Sequence, residues 1–180
     1  YITNNGNSPM GFSMGGAMGA WFADPSRQVV CVIGDGGFQM NIQELQTVKY
    51  NRMPIKIVII NNKIYGITKQ YQETNFEGRS EACGPKGYSA PDFIKIAEAY
   101  GIQTMTIRRT SEMASKIHFL LNSTEAIVFD VDCEEFHSYT PKVSGWDQSI
   151  EDMEPYLSNE EFMSNMIVPI AESSKRNRGL

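Results

Sequence analysis

Long apolar runs, paired cysteines and excess positive charge are all missing from this chain of 180 residues. No apolar stretch approaches the roughly 18 residues that a membrane-spanning helix requires, and no signal peptide is visible, so no membrane partner is expected. The three cysteines, Cys31, Cys83 and Cys133, are odd in number and far apart, with no Cys-x-x-Cys. That spacing argues against a disulfide framework or a structural zinc site. Sixteen Lys and Arg stand against 21 Asp and Glu, for a net charge of −5, so no nucleic-acid-binding surface is expected. The two histidines, His118 and His137, have no ligand partner at metal spacing and read as structural. Neither a Gly-Lys-Ser/Thr phosphate loop nor a Gly-x-Gly-x-x-Gly dinucleotide fingerprint occurs. What remains is a chain with ordinary apolar and charged fractions, read as a cytoplasmic globular α/β domain.

One βαβ unit carries the chemical information. Residues 29–33 and 55–60 are short, β-branched and bounded by turn residues, which predicts two buried strands. A helix over about 38–51 is expected between them, which makes the strands parallel neighbours. Gly34-Asp35-Gly36-Gly37 follows the first strand and Asn61-Asn62 ends the second, with Asp35 and Asn62 27 residues apart. Both therefore emerge at the carboxyl ends of the strands, where open parallel sheets bind ligands. Asp35 offers a hard anionic oxygen and Asn62 a neutral amide oxygen, a set that suits Mg²⁺ or Ca²⁺ with water and phosphate oxygens in the other positions. Gly36 and Gly37 expose bare N–H groups at the start of the expected helix, where the orphan amides and the dipole favour an anion.

These residues resemble the thiamine-diphosphate-dependent enzymes, whose cofactor-binding domain carries a Gly-Asp-Gly segment and a paired Asn at this spacing. The segments 6–12 and 15–20 before the motif, and 61–72 and 91–101 after it, are similar to acetolactate (acetohydroxyacid) synthases, and the similarity runs from about Gly6 to Asp132. The resemblance implies an open parallel sheet with helices on both faces. It implies Mg²⁺ on Asp35, the Asn62 side chain and the Ile64 carbonyl. The cofactor would lie among Ser8, Met10, Gly34, Asp35, Gly36, Gly37, Asn62, Ile64, Tyr65, Gly66 and Ile67, with Met10 supporting its bent form. The implied reaction is decarboxylation of a 2-oxo acid such as pyruvate, with carboligation to a second 2-oxo acid.

The resemblance also sets limits. Ile67 and Tyr71 stand where acetolactate synthases usually carry Met and Trp, so these two are the substrate-side candidates and leave the substrate open. Residues 139–143 and 150–153 are similar to the tails of synthase homologues outside branched-chain amino-acid synthesis. The glutamate that activates the cofactor belongs to a separate pyrimidine-binding domain in this family, so no catalytic residue is assigned here. The chain reads as residues 1–135 forming the cofactor domain, with 136–180 an extension packing on it. The pyrimidine-binding and middle domains lie outside these residues, and FAD is an option for the complete enzyme but is not predicted on this chain. The implied partner is the pyrimidine-binding domain of a second subunit, in a homodimer or homotetramer. Other readings are a 2-oxo acid decarboxylase, the cofactor subunit of a two-chain enzyme, or a non-catalytic module that retains the fold.

The remaining pattern predicts a helix over 12–22, a mobile polar loop over 72–90 and a helix opened by Pro91 and capped by Gly101. Strands are expected at 103–107 and 126–131 around a helix at 111–121, then a short helix at 159–166 and a frayed tail from 173. Met14 and Met18 read as one packed helix face, and Glu44 as a packing-edge residue.

Overall fold

The computed structural model describes residues 1–4, 6–135, 149 and 151–180. His137, the tail segment 139–143 and Ile150 lie outside the described residues. The chain divides into two compact units, one formed by Tyr1–Lys69 with Glu81–Phe136 and the other by Gln70–Ser80 with His137–Leu180.

In the first unit, strands β1 (Val30–Gly34), β2 (Lys56–Asn61), β3 (Gln103–Ile107) and β4 (Ile127–Asp132) form one parallel sheet in the order β1-β2-β4-β3. Helices α1 (Phe12–Ala23), α2 (Asp35–Gln39), α3 (Glu44–Tyr50) and α5 (Phe93–Ala99) surround one core, while α6 (Met113–Asn122) covers the opposite face. Alternation along each strand divides the apolar residues between the two faces. Cys31, Ile33, Ile57, Ile59 and Val128 meet Met14, Phe38, Leu45, Val48 and Phe93 in the larger core. Ile107, Ile127 and Phe129 meet Leu120 of α6 in the smaller one. Met14 is buried and Met18 packs beside it, as the helix-face reading expects.

The second face is covered only in part. Val32 is 58% exposed, and Val30 and Ile60 on the same face are also exposed. β1 is an edge strand, and a recess of 810 Å³ runs along it between residues 1–4 and the small side chains Gly16, Ala17, Ala20 and Ala23 of α1.

The segment after β1 differs from the single helix expected over 38–51. Helicity starts earlier, at Asp35, and α2 and α3 are joined through 40–43 by tight bonds from Met40 N–H to Gly37 O and from Glu44 N–H to Asn41 O. Two successive glycines lower helix propensity, and i→i+3 bonds bridge the weak stretch. A five-residue helix has a smaller dipole than the long one expected, so the anion argument there rests on local N–H groups.

Pro91 precedes α5 without opening it. Asp92 is the N-cap, its Oδ1 accepting the Lys95 N–H at 3.1 Å. Gly101 follows the helix at φ 69, where its lack of a Cβ permits the left-handed turn.

The second unit contains α7 (Asn159–Asn165), capped by the Ser158 hydroxyl, and α8 (Glu172–Arg178). The tail is therefore helical where a frayed end was expected. Arg178 is 9% exposed, with Nε 2.7 Å from Asp152 Oδ1 and its guanidinium over the Phe162 ring. Burial opposes ionisation of Asp152, but Arg178 and the Glu154 N–H outweigh it and hold the carboxyl below its usual range. Among the described residues no helix is long and apolar enough to cross a membrane.

Candidate functional site

Parallel pairing of β1 with β2 sets Gly34 opposite Ile60, so Asp35 and Asn62 leave neighbouring strands at the same end. Asp35 opens α2 and is 2% exposed. The Tyr88 hydroxyl donates to its Oδ2 at 2.9 Å, and the N–H groups of Gly36 and Lys63 also face the carboxylate. Burial pushes the Asp35 carboxyl above its ordinary range, while these donors pull the other way. The Tyr88 hydroxyl is raised in turn, first by burial and then by its bond to Asp35.

Beyond β2 the chain turns sharply through Lys63, at φ 62. Lys63 is anchored by Asp132 of β4, whose carboxylate also meets Arg108, and these cations hold that carboxyl below its usual range, Lys63 foremost. The turn brings the Ile64 N–H to 3.5 Å from Asn62 Oδ1 and buries the Ile64 side chain. α4 (Gly66–Asn75) then begins, and the first-turn N–H groups of Gly66 and Ile67 have no partner within the helix. The Tyr65 N–H is already bonded to Cys83 O at 2.8 Å, so the bare backbone donors on this side start at Gly66.

Gly36 is where close approach demands glycine. A Cβ there would lie 2.3 Å from Tyr65 Cε1 and 2.9 Å from Met10 Cε, so the Tyr65 ring and Met10 both lie over its backbone. Gly37 packs on Ile33, whereas Gly34 has ordinary extended backbone and open space around it. Ser8 lies on an exposed turn with its hydroxyl donating to Asn4 O. Ile67 is 68% exposed on α4; Tyr71, also on α4, belongs to the second unit and stacks edge-on with Phe76.

The structure thus gathers Met10, Asp35, Gly36, Tyr65 and the Asn62–Ile64 turn at one end of the sheet. It adds two residues that the sequence did not single out, Tyr88 and Gln39, whose Nε2 donates to the Tyr88 hydroxyl at 2.9 Å. The stretch expected as a mobile loop over 72–90 carries the end of α4 and, in 81–90, a turn with Gly87 N–H and Tyr88 N–H both on Gly84 O. Cys83 and Tyr88 are buried there. Glu44 accepts the Thr47 hydroxyl locally, in keeping with a packing-edge role, and His118 lies on the exposed side of α6.

Residues 1–131 match the family described as thiamine pyrophosphate enzyme, C-terminal TPP binding domain. The chain belongs to this family. It is similar to the acetolactate synthase isozyme 2 large subunit of Escherichia coli K12, 38% identical over 144 residues, covering 79% of this chain and 26% of that protein. It is also similar to the probable acetolactate synthase large subunit of Methanococcus aeolicus, 37% identical over 130 residues, covering 72% of this chain and 21% of the relative. Among solved structures, the Rhodococcus jostii RHA1 thiamine diphosphate-dependent 4-hydroxybenzoylformate decarboxylase superposes with a TM-score of 0.62 at 27% identity, covering 72% of this chain and 24% of that one. The chain therefore spans about a quarter of the length of these relatives, in the region of their C-terminal TPP binding domain family, and the open parallel α/β sheet is the fold the resemblance implies.

Proposed function

We propose that Asp35, the Asn62 side chain and the Ile64 carbonyl hold Mg²⁺, and that the cation carries the diphosphate of thiamine diphosphate. The observation that supports this best is the Asp35 carboxylate itself. It is buried at the ligand-binding end of the sheet, and among the described residues no Lys or Arg pairs with it. A buried carboxylate without a cationic partner is costly, and a hard cation offsets that cost. One anionic and two neutral oxygens fit Mg²⁺, which keeps its remaining positions for water and phosphate oxygens. Gly37, Gly66 and Ile67 supply N–H groups toward the diphosphate, Gly36 keeps its own N–H on the Asp35 carboxylate, Gly34 and Ser8 line the approach, and Met10 and the Tyr65 ring flank the cofactor and exclude water.

Thiamine diphosphate, when bound, supplies the electron sink for loss of CO₂ from a 2-oxo acid. In the full-length protein the favoured reaction is decarboxylation of pyruvate and joining of the two-carbon unit to a second 2-oxo acid, with Ile67 on the substrate side. The names of the relatives support it. A simple 2-oxo acid decarboxylase is the second reading, supported by the similarity to a decarboxylase structure. The activating domain would come from a second subunit of a homodimer or homotetramer, and the exposed apolar side chains of Met10, Phe12 and Ile67 suit such a contact.

Calorimetric titration with thiamine diphosphate, with and without Mg²⁺, tests the site. Binding that needs Mg²⁺ and is lost in Asp35→Ala is the expected result; binding indifferent to both would sink it. Product analysis with pyruvate separates the two reactions, since acetolactate marks carboligation and acetaldehyde marks decarboxylation alone.

A further inference from the structure

The site contains a hydrogen-bonded chain that metal binding alone does not account for. Gln39 lies at i+4 from Asp35, on the same face of the short helix α2. Its Nε2 donates both to the Tyr88 hydroxyl, at 2.9 Å, and to the Ser89 carbonyl, at 3.3 Å. A carbonyl can only accept, so the Ser89 contact fixes which end of the Gln39 amide faces Tyr88. With its oxygen accepting from Gln39, the Tyr88 hydroxyl directs its own proton to Asp35 Oδ2. The Tyr88 ring is 8% exposed and packs at 4.2 Å on the Tyr65 ring, which itself covers Gly36. Every joint of this chain is thus held from a second side, by the Ser89 carbonyl or by a packed ring.

We propose that Tyr88, oriented by Gln39, is a positioning residue that fixes the plane of the Asp35 carboxylate and so the direction in which its remaining lone pairs meet the cation. The inference rests on the Mg²⁺ reading above. Hydrogen-bond partners behind a metal ligand commonly set affinity by 10–100-fold. They matter most for Mg²⁺, which demands near-ideal octahedral geometry, and less for Ca²⁺, whose coordination is flexible.

The test uses Tyr88→Phe, which keeps the ring and removes the hydroxyl, in the full-length protein. The cation concentration that half-saturates thiamine diphosphate binding is measured for Mg²⁺ and for Ca²⁺, together with the melting temperature. A rise of about tenfold for Mg²⁺ with a clearly smaller rise for Ca²⁺ is expected. Gln39→Leu, which leaves Tyr88 in place without its orienting donor, should shift the same selectivity in the same direction and serves if Tyr88→Phe does not fold. Equal rises for both cations, tracking a lower melting temperature, would reduce Tyr88 to a packing residue and overturn the inference, as would no change at all. If the unsubstituted protein binds thiamine diphosphate without any cation, the Mg²⁺ reading itself fails and takes this inference with it, an outcome recognised before either variant is made.

Discussion

Tyr65 lies so close over Gly36 that a Cβ on the glycine would sit 2.3 Å from the tyrosine Cε1. The two residues come from different strand ends, so their contact clamps the β1 and β2 termini on which the cation ligands sit. Gly36→Ala forces the ring or the backbone to move, and overpacking of this kind costs ~1–3 kcal/mol. In a Tyr65→Ala background most of that penalty should vanish, because only the flexible end of Met10, 2.9 Å away, still stands in the way. Urea unfolding of the two single variants and the double variant gives the coupling. An equal penalty in both backgrounds would place the cause elsewhere, in the helix start itself.

The two faces of β1 and β2 predict opposite responses to truncation. Ile57 is completely buried under the α2, α3 and α5 side of the sheet, whereas Val32 on the other side is largely exposed. Ile57→Ala should cost ~2–5 kcal/mol, since it leaves a cavity in a packed core. Val32→Ala should fall within ~0.5 kcal/mol, the ordinary range for a surface substitution. Thermal melts of both variants check the contrast in the 180-residue chain. A large loss at Val32 in the chain by itself would mean that its exposed face is covered in solution.

The parts of this fold written in local pattern were legible from the sequence. β3 has the expected bounds because Gly101 ends one element and five alternating residues make the next. That Asp35 and Asn62 emerge at one end of the sheet was legible because each is the first residue beyond its strand and parallel pairing does the rest. The break between α2 and α3 was not, since a pattern of apolar residues looks alike whether the turn is α or 3₁₀. Tyr88 was hidden for a different reason. Its role depends on Gln39 and Asp35, which lie 49 and 53 positions away, while its own surroundings of Gly, Lys and Ser read as a plain loop. The geometry of the Asn62–Ile64 turn likewise depends on a distant residue, Asp132, holding Lys63.

The last helix makes the same point and yields the most direct test of stability. α8 has the sequence Glu-Ser-Ser-Lys-Arg-Asn-Arg, charged enough to read as a solvated tail. It is held because Arg178 reaches Asp152, 26 positions earlier, and also donates to the Leu157 carbonyl at 3.0 Å. Both charged groups are buried, so removing one strands the other. Arg178→Ala should therefore cost about 3–5 kcal/mol, more than loss of a surface ion pair. The pH dependence has a definite sign. The folded pKa of Asp152 is depressed, so the unfolded state takes up its proton first as pH falls. The stabilisation is fully present above the ordinary Asp value of about 4 and is lost as pH drops through the folded value. Circular-dichroism melts from pH 7 down to pH 3 should show this loss in the unsubstituted chain and a shallower one in Asp152→Asn. Parallel curves for the two would mean that other carboxylates govern the acid response and that the pair contributes little.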